Sequence, residues 1–130
     1  MKSLLSFVVA LSLFSFFQFS SVAADAKNIT IDEAVKLVTS NTNVVVLDVR
    51  TPDEFRSGHI KGATNINFND KDFAKRVAAL DKDKTYIIHC AAGGRSGRAC
   101  SQIKTMDFKN MLHMNQGLSA WEKAGKPVEK

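Results

Sequence analysis

Tyr86-Ile87-Ile88-His89-Cys90-Ala91-Ala92-Gly93-Gly94-Arg95-Ser96-Gly97 is the stretch on which the reading of this chain turns. Thr85 to His89 is apolar at its centre without alternation, as in a strand buried on both faces. Small residues then make a tight turn, and from Ser96 to Met106 the residues Ala99, Cys100, Ile103 and Met106 recur at helical spacing. Working outward, Val44 to Leu47 is a second wholly apolar, β-branched strand, Ala63 to Phe68 a weaker one, and Met111 to Met114 a last one. Helices are predicted between them. Thr30 with Glu33 caps one running to about Ser40, on which Ile31, Ala34, Val35 and Val38 share a face. Another spans Asp70 to Leu80 on Phe73, Val77 and Leu80, and Leu118 to Ala124 forms a terminal helix ended by Gly125 and Pro127. Strands alternating with helices imply an α/β fold with a parallel sheet covered on both faces.

Ligands of such sheets bind beyond the carboxyl ends of the strands. The residues to inspect are therefore Asp48 and Arg50, Cys90 to Arg95, and Asn115 with Gln116. In the cysteine loop, Gly93 and Gly94 let the backbone curl so that successive N–H groups point inward, and a helix start adds unpaired donors and a positive dipole end. These surroundings lower a thiol's pKa from its free value of about 8.5 and favour the thiolate. Arg95 adds a full charge and a planar fork of donors suited to an anion. The competing reading is a buried structural thiol beside a plain turn.

Four stretches carry a family resemblance: Leu47 to Phe55, Gly58 to Ile66, the loop Cys90 to Ser96, and Gly117 to Trp121 continuing through Gly125 to Val128. Together they resemble the rhodanese family over residues 28 to 128. The resemblance implies a three-layer α/β domain with a five-stranded parallel sheet and sulfurtransferase chemistry. In that chemistry the loop cysteine takes sulfane sulfur from a donor such as thiosulfate, holds it as a persulfide, and passes it to cyanide or a thiol. Cys90 is thereby expected to be the catalytic nucleophile, with Arg95 and the loop residues Ala91, Ala92, Gly93, Gly94, Ser96 and Gly97 as the anion site. Four residues separate Cys90 from Arg95, as in the sulfur-transferring branch, whereas the related phosphatase branch has one more. No cofactor and no metal ligand are called for.

The neighbours of the loop need separate weighing. Asp48 and Arg50 are expected to form a structural pair supporting the loop rather than to bind substrate. Glu54 and His59 look structural by the family pattern, and Gly62 serves a turn. His89 invites a Cys-His dyad, but adjacent residues on a strand point to opposite faces, which turns it away from Cys90. Cys100 lies on the apolar face of its helix and is expected to be a buried, unpaired thiol; a disulfide or a resolving role is the alternative. Asp107 stands where the family usually has a glycine, and Asp tolerates left-handed geometry. Gln116 replaces another common glycine near the expected mouth of the site.

The composition falls into two parts. The chain has 130 residues, and five of its nine Phe residues lie within the first nineteen. Lys2, the apolar run Leu4 to Phe19 and the small residues Ser21 to Ala24 match a cleaved export signal over residues 1–24. The expected product is a single domain, residues 25–130, that is periplasmic or secreted, with seventeen basic against thirteen acidic residues. Basic and acidic residues interleave, as in Asp81-Lys82-Asp83-Lys84, which argues against a nucleic-acid stripe, and no membrane partner is expected once the leader is gone. Asn28-Ile29-Thr30 matches a glycosylation sequon, a short motif that chance often produces. The partners expected are a small anionic sulfur donor and a thiophilic acceptor, with the domain a monomer. A non-catalytic or sulfur-relay module that hands persulfide sulfur to a protein partner is the alternative.

Overall fold

The computed structural model describes residues 25–130, and the expected export leader lies outside the described residues. Ten elements run along the chain: β1 (Lys27–Asn28), α1 (Ile31–Ser40), β2 (Val44–Asp48), α2 (Pro52–Ser57), β3 (Thr64–Asn65), α3 (Phe73–Ala78), β4 (Thr85–His89), α4 (Gly94–Ile103), β5 (Asn110–His113) and α5 (Gly117–Lys123). The strands form one parallel sheet in the order β1-β5-β4-β2-β3. The strand that delivers Cys90 is therefore central. Its register sets Asp48 of β2 beside His89 and His113 of β5 beside Ile88.

Unbroken apolar runs in β2 and β4 follow from burial on both faces, because successive side chains point to opposite sides. Leu47, Tyr86 and Ile88 pack on one side with Phe73 and Val77 of α3 and with Ala99, Cys100 and Ile103 of α4. Val46 and Ile87 pack on the other with Ile31 and Ala34 of α1 and with Leu118 and Trp121 of α5. Ile87, Ile88 and Val77 are wholly buried, each stabilising the fold by about 1.5–3 kcal/mol relative to exposure.

The expected five-stranded α/β sheet is present, with differences at the margins. β1 and α2 are absent from the periodicity reading because neither buries a residue: β1 is two exposed residues, and α2 has no buried position. β3 is shorter than Ala63–Phe68, although the amides of Ile66 and Phe68 still bond to the carbonyls of Asp48 and Val49. α3 is trimmed at both ends from Asp70–Leu80. α4 begins at Gly94 instead of Ser96 and ends at Ile103 instead of Met106. Past it, Asp107 adopts φ +61°, the left-handed geometry anticipated for it. The tail folds back, with reciprocal backbone bonds between His59 and Glu129 of 2.9 and 2.8 Å, and Trp121 Nε1 donates to the Pro127 carbonyl. Among the described residues no helix is long and apolar enough to cross a membrane.

Candidate active site

Cys90 leaves the end of β4, and three amides turn toward its sulfur. Gly93, at φ +100°, makes the turn, and its N–H donates to Cys90 Sγ at 3.1 Å. A Cβ at this position would run into the carbonyl of Asn115. Gly94 has no such need, since it sits in the first turn of α4 with open space around it, so the curl depends on one glycine of the pair. The amides of Ala92 and Ser96 also favour the anionic sulfur. From outside, Leu118 and Ser119 at the start of α5 donate to the carbonyls of Cys90 and Ala91 at 2.9 and 3.0 Å. The loop is thus tied to α5 as well as to its own helix, where Gly97 donates to the Gly93 carbonyl.

The sulfur's electrostatics are set by opposing effects. Burial pushes the Cys90 thiol up, but hydrogen bonds from the Ser96 hydroxyl and from the amides of Ser96, Ala92 and Gly93 outweigh it, and the net shift is downward. Ser96 Oγ lies 3.3 Å from Sγ and also 2.7 Å from Nε2 of His113. Burial, and secondarily the neighbouring His89, lowers the pKa of His113. The sequence reading passed over His113. Its only signal was a histidine at the carboxyl end of a strand, which becomes informative once that strand is known to lie beside β4.

Arg95 is engaged differently from the expectation of an open anion clamp. Its two terminal nitrogens donate to the two carboxylate oxygens of Glu54 at 2.6 and 2.9 Å. Those bonds hold the Glu54 carboxyl down to about 2, against the opposing effect of partial burial. Glu54 also completes a capping box with Thr51 at the start of α2, so the pair ties the cysteine loop to that helix. Asp48 and Arg50 are buried and paired at 2.7 Å, with Arg50 Nη2 also donating to the Gly58 carbonyl and Asn65 Nδ2 donating to the carbonyls of both residues. They act as a brace beneath the site. His59 accompanies it, with Nδ1 on the Phe55 carbonyl and its ring stacked on Phe55. Gly62, at φ +77°, makes the expected turn.

His89 does not reach the sulfur. Its Nδ1 is 2.9 Å from the Cys90 carbonyl, which as an acceptor places the ring proton there. Its Nε2 is buried without a hydrogen-bond partner, 3.7 Å from Asp48 Oδ2. Burial dominates and lowers its pKa, keeping it neutral. Cys100 is buried and free, and burial followed by the charge of Cys90 pushes its thiol up to about 12. It is packed as a core residue. Among the described residues no cluster of His, Cys, Asp and Glu could hold a metal ion.

Comparisons with known proteins agree with this layout. A family model described as Rhodanese-like domain matches residues 30–124. The chain is 38% identical over 89 residues to Protein HIGH ARSENIC CONTENT 1, mitochondrial, of Arabidopsis thaliana, covering 61% of this chain and 53% of that protein, so it spans about half that relative's length. It is 29% identical to the Putative sulfurtransferase YtwF of Bacillus subtilis, covering 79% of this chain and 97% of that one. It is 30% identical to the Dual specificity phosphatase Cdc25 of Arabidopsis thaliana, covering 90% of this chain and 89% of that one. Among solved structures, a rhodanese-related protein from Thermoplasma volcanium superposes with a TM-score of 0.71 at 27% identity, covering 79% of this chain and 97% of that one.

Proposed function

This chain belongs to the rhodanese-like domain family, and on that premise we propose that it is a sulfurtransferase whose carrier is Cys90. The observation that carries the reading is the convergence on Sγ of the Gly93 amide and the Ser96 hydroxyl. Donors already aimed at an anionic sulfur need no reorganisation as charge develops there.

In the first half-reaction the Cys90 thiolate attacks the outer sulfur of thiosulfate. The S–S bond of the donor breaks and sulfite leaves with its electron pair. The resulting persulfide anion lies within the loop that the Gly93 amide and the Ser96 hydroxyl face; the amide of Gly97, expected in the anion site, is instead spent on the Gly93 carbonyl. In the second half-reaction an acceptor, cyanide or a thiol, attacks that outer sulfur and the Cys90 thiolate departs. Arg95, its charge balanced by Glu54, contributes by holding the loop in shape.

The assay is thiocyanate production from thiosulfate and cyanide. Activity is expected in the wild type and only background in Cys90→Ala; equal rates would overturn the reading. Similarity to a protein named as a phosphatase makes p-nitrophenyl phosphate the control, and faster turnover of that ester than of thiosulfate would equally overturn it. The four-residue spacing between Cys90 and Arg95 supports the sulfur branch. The composition of residues 1–24 supports export, for which N-terminal sequencing of the protein from its own cells should begin near Asp25 and not at Met1.

A further inference from the structure

Sulfur, hydroxyl and imidazole form a buried row at the end of the sheet. Cys90 Sγ is 3.3 Å from Ser96 Oγ, which is 2.7 Å from His113 Nε2, and the three residues are 2%, 0% and 9% exposed. A serine hydroxyl has one proton to donate. If the thiol is protonated, S–H donates to Oγ, and Oγ–H donates to a neutral Nε2. If Nε2 holds the proton, it donates to Oγ, and Oγ–H donates to the thiolate. These two states interconvert by moving one proton from sulfur to oxygen and another from oxygen to nitrogen.

We propose that His113 is a positioning residue for sulfur transfer, accepting the Cys90 thiol proton through Ser96 and remaining as the imidazolium partner of the thiolate. The proposal rests on the reading of Cys90 as the sulfur carrier and adds where its proton goes. Charge balances through the cycle. The persulfide formed as sulfite leaves bears the same single negative charge as the thiolate it replaces, and the acceptor's removal of the sulfur returns the thiolate, so the imidazolium keeps an anionic partner throughout.

The groups around the ring weigh on both sides of this role. The burial of His113 opposes the imidazolium, and so does His89 on β4, which lies buried beside Asp48. On β1 the register partner of His113 is the uncharged Asn28, next to Lys27, whose partner is Leu112. On α4, the charge of Arg95 is taken up by Glu54, and Gly97 faces His113 Cε1 with no side chain of its own. Under the proposal, the negative charge that offsets this opposition is that of the Cys90 thiolate, reached through the Ser96 hydroxyl.

The test is the pH profile of Cys90 alkylation by iodoacetamide, read on the Cys90 peptide by mass spectrometry. Ser96→Ala and His113→Gln are each expected to raise the midpoint by about one unit. The double variant should rise no further than Ser96→Ala alone, because His113 acts only through the hydroxyl. Glutamine can donate to Ser96 but cannot take a proton, so a wild-type midpoint in His113→Gln would overturn the relay. A second measurement does not depend on those variants folding. The imidazole nitrogen shifts of His113 should report protonation persisting to a pH about one unit higher in the wild type than in Cys90→Ala; identical titrations would overturn the proposal. Neither readout involves sulfur transfer, so a chain that relays this proton yet makes no thiocyanate would overturn the proposed function and leave the relay standing.

Discussion

Arg95 supplies the only full charge in the loop from Ala91 to Gly97, and Glu54 meets it with both oxygens. The pairing has a pH signature. Bonds from Arg95 hold Glu54 at about 2 against an ordinary value of 4.5, so the pair's contribution is complete above about pH 5 and is lost as pH falls through about 2. Glu54→Gln should therefore melt below the wild type at neutral pH, with the gap closing toward pH 2. Thermal scans across that range check it, and a gap independent of pH would contradict the assignment. Both side chains are partly exposed, so the gap should be modest. Cys90 itself was legible in the sequence because what tunes it lies within six residues. Glu54 and His113 were not legible as its neighbours, since the contacts joining them to the loop span 41 and 17 residues, and no local pattern reports such a separation.

Strand β4, its loop and α4 form the unit that presents the sulfur, and the two glycines between them differ in what they tolerate. Gly93→Ala meets the Asn115 carbonyl at a left-handed φ, which should cost about 1–3 kcal/mol in urea unfolding and return the thiol toward ordinary acidity as the amides lose their aim. Gly94→Ala falls in helical backbone with open space and should be neutral or stabilising by about 0.4–1 kcal/mol. Similar losses from both substitutions would show that the curl uses both residues. The elements that periodicity reveals are those that bury a face, such as β2, β4 and α4. α2 buries nothing and is legible only from its capping residues, Thr51, Pro52 and Glu54; β1, with two exposed residues, offers no pattern at all.

On the scale of the whole molecule, His89 links stability to pH. Burial lowers it below the ordinary 6.5, so between its folded and unfolded values the unfolded chain binds more protons. Stability should rise with pH through that window, and it should begin to fall as the solution is acidified below about pH 6.5. Chemical denaturation between pH 5 and 8 checks this, and a flat profile would contradict the burial of a neutral imidazole at His89. Four of the five strands and the parallel class were readable from the alternation of elements, with the fifth implied only by the family resemblance, whereas the order β1-β5-β4-β2-β3 was not, because periodicity says which face is buried and not which strand lies alongside. That order also governs timing during synthesis. The first strand finds its partner only in the last, and the carbonyls of Cys90 and Ala91 wait for Leu118 and Ser119. A growing chain that has exposed Cys90 but not yet the residues beyond it lacks the contacts that sharpen the sulfur, so the thiol emerges with ordinary acidity. Its nearest donors, Gly93 and Ser96, emerge soon after it, and the ties that hold the loop around them are complete only when the last strand and helix have been added.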